Sequence, residues 1–286
     1  GIEAELTATL RTGFHKYKYS SGEGKLIVFD LSRANNRVRN WQITLHGDSA
    51  VSGFQDVGEK VYFYAQTDNP IDSVHIDTLH SNHAVLYLKN GSSEVNMKLA
   101  LSFVSEKNAR LNFQSEATGK NFEEVKQAAD AKWEKLLSKV QIKGGTDKQR
   151  WVFYSSLYRS FLWPALRSDV NNEYTDVNRT VVNNGFDYYT IPALWDTYRN
   201  KLVLLTLLSP NVTANVIKSM TDIGTKRGYM PTFFHGDHAS PFITGAYMRG
   251  VRDFDVQEAY SLMLKNAMEE SRSRPFLNEY IEKGFI

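Results

Sequence analysis

The sequence predicts a β-then-α protein: an antiparallel β-sandwich followed by a run of helices with the pattern of an α/α toroid or helical array. Three observations carry this. Apolar residues recur at every second position up to about residue 117, and the spacing turns helical after Asn121. Beyond residue 190, helices follow one another through polar loops with no strand pattern between them.

In the first segment, taken as residues 1–118, Val95, Met97, Leu99, Leu101 and Phe103 share one face, and Asn96, Lys98, Ala100 and Ser102 share the other. Val61, Phe63 and Ala65 repeat the alternation, as do Leu111 and Phe113. Turn residues punctuate these runs at Ser20-Ser21-Gly22, Gly47-Asp48 and Asp68-Asn69-Pro70. Asn90-Gly91 predicts a hairpin joining Ala84–Lys89 to Ser93–Phe103. Short strands at this spacing, without helices between them, point to a sandwich.

Residues 119–145 read as a linker helix. Asn121 caps it, Glu124 completes a capping box, and Phe122, Val125, Ala129, Trp133, Leu136 and Val140 line one face. Gly144-Gly145 ends it. From 146 to 286 the helical part follows. Thr146 with Gln149 opens a helix through Trp151, Tyr154, Tyr158 and Phe161, stopped at Pro164. Residues 165–190 are polar and irregular, a loop long enough to be functional. A helix is expected from Pro192 through Leu208, another from Asn211 to about Thr225, and two more over 238–250 and 255–270.

Bulk properties exclude several functions. The net charge of +2, from 34 basic and 32 acidic residues with no basic stripe, gives no reason to expect a nucleic-acid partner. Cysteine is absent, which removes thiol nucleophiles, cysteine zinc sites and disulfides together. No apolar run reaches the roughly 18 residues of a membrane span. No phosphate loop, Gly-x-Ser-x-Gly elbow or dinucleotide fingerprint is present. Gly1-Ile2-Glu3-Ala4-Glu5 lacks the basic and apolar regions of a signal peptide. With no initiator Met, and with an apolar end at Ile286, the chain is expected to be an internal portion of a longer protein.

The chemistry is expected around Leu194-Trp195-Asp196-Thr197-Tyr198-Arg199 and His235-Gly236-Asp237-His238-Ala239. Trp195 offers a flat apolar face for the C–H side of a sugar ring, and Asp196 offers a carboxylate for its hydroxyls. Near a helix start, Asp196 equally suits the free backbone amides of the first turn. Arg199, one turn on, suits a pairing with Asp196 or the anchoring of a neighbouring helix. His235, Asp237 and His238 form a polar knot between apolar helices. Their spacing lacks the H-E-x-x-H helical geometry of zinc hydrolases, so Asp237 is expected to cap a helix with the histidines hydrogen-bonding into a cleft, substrate contact being the alternative. Asp169, Asn171, Asn172 and Glu173 either line a site or form turns, and Asp253 and Asp255 read as helix caps.

A family resemblance joins these pieces. Gly1-Ile2-Glu3-Ala4-Glu5-Leu6-Thr7-Ala8-Thr9 with Gly13-Phe14-His15-Lys16-Tyr17 resembles the β-sandwich of glycoside hydrolase family 92, the calcium-dependent α-mannosidases. Ser102-Phe103-Val104-Ser105, Asn108-Ala109-Arg110-Leu111-Asn112, Phe153-Tyr154-Ser155-Ser156-Leu157-Tyr158 and Ser168-Asp169-Val170-Asn171 match in the same order. So do Leu194–Arg199 and Tyr247-Met248-Arg249-Gly250-Val251-Arg252-Asp253-Phe254-Asp255, over nearly the whole chain.

The resemblance implies a β-sandwich docked on an (α/α)6 barrel, of which this chain carries a part, with the active site in the cleft between them. It implies exo-acting, inverting cleavage of terminal α-mannose, taken as α-1,2-linked, from N-glycan or mannan oligosaccharides. Trp195 and Asp196 would hold the mannose at the cleavage point, with His235, Asp237 and His238 as further substrate contacts. Ca2+ would grip sugar hydroxyls. The general acid, the general base and most calcium ligands are expected beyond Ile286, on the remainder of the chain. A periplasmic or secreted bacterial protein is expected. The alternative is a non-catalytic carbohydrate-binding or scaffolding module of the same fold.

Overall fold

A computed structural model describes residues 1–21, 24–77, 83–232, 236–271 and 274–285. The chain divides into two compact units: Gly1–Glu134 with Ser168–Tyr174, and Lys135–Arg167 with Thr175–Ile286. Antiparallel sheets therefore precede helices, in the predicted order.

The first unit contains nine strands: β1 (Ile2–Ala8), β2 (Thr12–Tyr19), β3 (Leu26–Phe29), β4 (Asn40–His46), β5 (Ala50–Asp56), β6 (Lys60–Thr67), β7 (Ile71–Asp77), β8 (His83–Leu88) and β9 (Glu94–Ser102). Six form one sheet in the order β1-β2-β9-β6-β5-β4, and three form a second in the order β3-β8-β7. Residues of β2 to β9 meet between the sheets. Ile27, Phe29, Ala84 and Leu86 from the smaller sheet pack with Val51, Phe63, Ala65, Val95 and Met97 from the larger. Each large apolar side chain buried there contributes about 1.5–3 kcal/mol. Gly53 is needed in β5, opposite Ile43, because a Cβ there would lie 1.9 Å from the Gln42 carbonyl oxygen.

Two expectations are corrected here. Asn90-Gly91 does not close a hairpin: β8 pairs with β3 and β7, whereas β9 pairs with β2 and β6, so this link passes from one sheet to the other. The second concerns Leu111 and Phe113, which lie in helix α1 (Glu106–Glu116), capped by Ser105, whose side chain accepts from Asn108 N at 3.1 Å. The buried positions Ala109, Asn112, Phe113 and Glu116 have helical spacing, which two alternating apolar residues concealed. This helix also explains why Ala100 and Ser102, assigned to the polar face of β9, are buried. Phe14 and Ala100 of the large sheet pack against Phe113 and Ala117, and against Phe122 and Val125 of α2 (Phe122–Leu137). The box predicted for α2 is formed: Asn121 Oδ1 accepts from Glu124 N at 2.9 Å and Glu124 Oε2 from Asn121 N at 3.0 Å.

In the second unit α3 (Asp147–Ser160) begins with the predicted Thr146–Gln149 capping box. Within 165–190 lie two short strands, β10 (Glu173–Thr175) and β11 (Val181–Asn183), that the sequence pattern did not show. The helix expected from Pro192 to Leu208 is two: α4 (Leu194–Thr197) and α5 (Lys201–Leu208). Asn200 causes the break, its side chain accepting from Lys201 N at 2.5 Å to start the second helix. Then follow α6 (Pro210–Arg227), α7 (Ala239–Met248), α8 (Val256–Met268) and α9 (Leu277–Lys283). Gly228, at φ 85°, ends α6 in the left-handed conformation, and Asp255 caps α8 through Glu258 N at 2.9 Å. Leu194, Leu202, Leu205, Ile217, Met220, Phe242, Ile243 and Leu262 form the shared core of these helices. Among the described residues no helix is long and apolar enough to cross a membrane.

Candidate functional site

The Trp195–Asp196 pair sits on α4, a single turn fixed from beneath. Leu194 is fully buried in the helical core. Thr197 Oγ1 donates to the Ala193 carbonyl at 2.7 Å, and Tyr198 N to the Leu194 carbonyl at 3.0 Å. Successive residues of a helix turn by about 100°. With Leu194 pointing inward, Trp195 and Asp196 project outward, and Trp195 is 52% exposed. The Asp196 side chain has no hydrogen bond or ion pair among the described residues. Arg199 does not pair with it: its Nε donates to Tyr198 Oη at 2.5 Å, and its guanidinium lies 5.0 Å from that ring's centre. An exposed carboxylate beside an exposed indole, on a turn anchored by Leu194, is chemically suited to a sugar ring and its hydroxyls.

One member of the second predicted cluster meets this turn. The His238 ring lies 4.8 Å from the Tyr198 ring. His238 occupies the cap position of α7 without a side-chain capping bond. Asp237 was expected to cap that helix through its backbone amides; instead it accepts from Ser240 Oγ at 2.7 Å and from Asn266 Nδ2 at 3.4 Å. Asn266 in turn clasps the Met230 backbone, accepting from its N–H at 3.1 Å and donating to its carbonyl at 2.9 Å. His235 lies outside the described residues.

In the first unit Asp169 is 2% exposed and fully engaged. Its Oδ2 accepts from Ser102 Oγ at 2.7 Å and Asn108 Nδ2 at 2.9 Å, and its Oδ1 from Asn112 Nδ2 at 2.6 Å. Arg11 Nε donates to the Ser168 carbonyl at 2.8 Å, while its Nη1 pairs with Glu116 at 2.9 Å. Glu173 accepts from Asn108 Nδ2 at 2.8 Å, and hydrogen bonds from Asn108 and Asn171 hold its carboxyl below the ordinary range. Asp169 thus pins residues 168–174 rather than facing a ligand. The sequence held one signal for this network: Asn108 and Asn112, four apart on the buried face of an amphipathic helix, are polar groups that require buried partners.

Among the described residues no group of three or more His, Asp or Glu side chains is arranged to hold a metal ion. Asp169 and Glu173 share the Asn108 amide, but Asp169's oxygens are filled by donors, whereas Ca2+ needs six to eight oxygen ligands. The described residues therefore do not fit a calcium site by themselves.

Comparison with known proteins gives this geometry its context. Residues 1–115 match the glycosyl hydrolase family 92 N-terminal domain, and residues 108–286 match the family 92 catalytic domain. The chain belongs to glycosyl hydrolase family 92. The two family 92 regions overlap within α1, and Trp195 and Asp196 lie in the catalytic one. An uncharacterized secreted glycosidase of Arthroderma benhamiae is 27% identical over 94% of this chain and 38% of its own length. A family 92 α-mannosidase from Bacteroides thetaiotaomicron superposes with a TM-score of 0.89 at 24% identity, over 98% of this chain and 42% of its own. Its structure has also been solved with mannoimidazole. An inverting family 92 mannosidase from the same organism gives 0.82 at 23% identity, over 99% of this chain and 43% of its own. At these identities the likeness establishes the fold. The chain spans about two fifths of the length of these family 92 relatives.

Proposed function

We propose that this chain is part of an exo-acting, inverting α-mannosidase and that Trp195 and Asp196 orient the terminal mannose. The observation that carries the reading is their joint exposure on an anchored turn within the family's catalytic region. Trp195 covers an apolar face of the ring, and Asp196 accepts from its hydroxyls. His238 packs on Tyr198, and Asp237 is engaged by Ser240 and Asn266, so direct sugar contact is assigned to Trp195 and Asp196 first.

In an inverting mechanism two carboxyl groups about 6.5–9.5 Å apart flank the bond and admit a water between base and sugar. No such pair is assigned among the described residues, since Asp169 and Glu173 are held by amide donors. Ca2+ would serve in this reading as a grip on sugar hydroxyls, as the family implies. Substrates are taken to be α-1,2-linked mannose termini of N-glycans or mannans, and the site of action to be the periplasm or outside the cell. The chain's domains in this reading are a β-sandwich over residues 1–118, a linker helix over 119–145 and the first part of the helical catalytic domain over 146–286.

The test is Asp196→Ala in the full-length protein, assayed on α-1,2-mannobiose with Ca2+ and then with chelator. Losing a charge-assisted hydrogen bond to the sugar should lower kcat/KM about tenfold or more. Unchanged kinetics would sink the assignment. Mannose binding without turnover in the wild-type protein would favour a binding module instead.

A further inference from the structure

We propose that His238 is a positioning residue: its imidazole braces Tyr198 and so fixes the turn that presents Trp195 and Asp196. The proposal rests on the sugar-binding reading of that pair, and it changes the role of His238 from sugar contact to support.

Three features of the ring's surroundings point this way. First, His238 makes no cap bond to α7, the role its position offers. Second, its Nδ1 is buried and has no hydrogen-bond partner among the described residues. A nitrogen closed off in this way does not greet a sugar hydroxyl. Third, the ring has close neighbours. Tyr198 lies 4.8 Å away, ring centre to ring centre and tilted by 46°. Gly236 is near enough that a Cβ there would lie 3.0 Å from His238 Cε1, so a side chain at that position would press on the ring.

Tyr198 transmits the effect. It closes α4 through its N–H bond to Leu194, three residues after Trp195, and it packs on the buried helical core. Arg199 holds its phenolic end. The segment carrying His238 is itself fixed, because Asp237 is tied to Ser240 and Asn266. A flat ring packed against Tyr198 restricts it, and a displaced Tyr198 would rotate α4. A misplacement of about 1 Å at a reacting geometry can cost on the order of a hundredfold in rate.

The experiment compares His238→Ala, His238→Phe and Gly236→Ala in the full-length protein labelled with 5-fluorotryptophan. The Trp195 resonance is assigned by its loss in Trp195→Phe. If ring contact with Tyr198 is what matters, His238→Ala shifts or broadens the Trp195 signal and lowers kcat/KM on mannobiose by about tenfold or more. His238→Phe, which keeps a flat ring but no nitrogen, restores the signal and most of the activity. Gly236→Ala moves the signal as His238→Ala does, and it serves if the latter does not fold. An unmoved Trp195 signal in His238→Ala or Gly236→Ala overturns the proposal. So does a His238→Phe protein as impaired as the alanine variant, because polar contact would then be the role. Asp196→Ala kinetics test the sugar reading separately from the fluorine signal.

Discussion

Removing the Asp169 carboxylate should destabilise the β-sandwich unit by about 3–4 kcal/mol, although Asp169 lies far along the chain from every strand of the two large sheets. In Asp169→Ala three donors lose their acceptor: Ser102 Oγ, Asn108 Nδ2 and Asn112 Nδ2. The two amides are not wholly stranded, since Asn108 keeps Glu173 at 2.8 Å and Asn112 keeps the Leu101 carbonyl at 2.8 Å. One hydrogen of each is orphaned, at about 1–3 kcal/mol apiece. Ser102 loses a bond to a charged acceptor, worth about 1.5–3 kcal/mol. Against this stands the relief of no longer burying a charge, which offsets part of the loss. Asp169→Asn should cost less, about 1–3 kcal/mol. Its new amide hydrogens must face a donor, and Asn112 cannot turn over to receive them because its Oδ1 already accepts from Val170 N at 3.0 Å. Urea unfolding followed by far-UV circular dichroism measures both, and the double mutant with Asn112→Ala gives the coupling. A loss under about 1 kcal/mol for Asp169→Ala, or additive single mutants, would refute the network as the anchor of residues 168–174.

Two further outcomes follow from the same unit. Gly53→Ala should lower stability by more than about 2 kcal/mol, since its Cβ would overlap the Gln42 carbonyl of the neighbouring strand; an unchanged thermal midpoint would contradict the β4–β5 register. Glu173 has a folded-state pKa depressed from 4.5, chiefly by Asn108, so its contribution is present above that value and is lost as pH falls through the folded pKa. Asn108→Ala should raise the Glu173 pKa in an NMR titration, and an unmoved titration would remove Asn108 as the cause.

Much of the fold was legible wherever a structure is set by residues three or four apart. The capping pairs Asn121–Glu124 and Thr146–Gln149, and the Asp255 cap, form as read, because an N-cap needs only its own first turn. Strand faces of β9 were half legible. Val95 and Met97 point into the sandwich as their alternation requires, but burial of Ala100 and Ser102 depends on α1 lying across the other face.

The sequence by itself determined the β-then-α order, the capped helix starts and the absence of thiol chemistry. Tertiary structure decided the rest. It chose partners for β8 and β9 in different sheets, since Asn90-Gly91 permits a tight turn but pairing is settled by which faces bury together. It broke the helix at Asn200, turning Leu194 inward and Trp195 and Asp196 outward. It also gave Asp169 its three donors, 57 to 67 residues away, and set His238 against Tyr198. Those choices join residues distant in the chain, and short-range spacing carries no record of them.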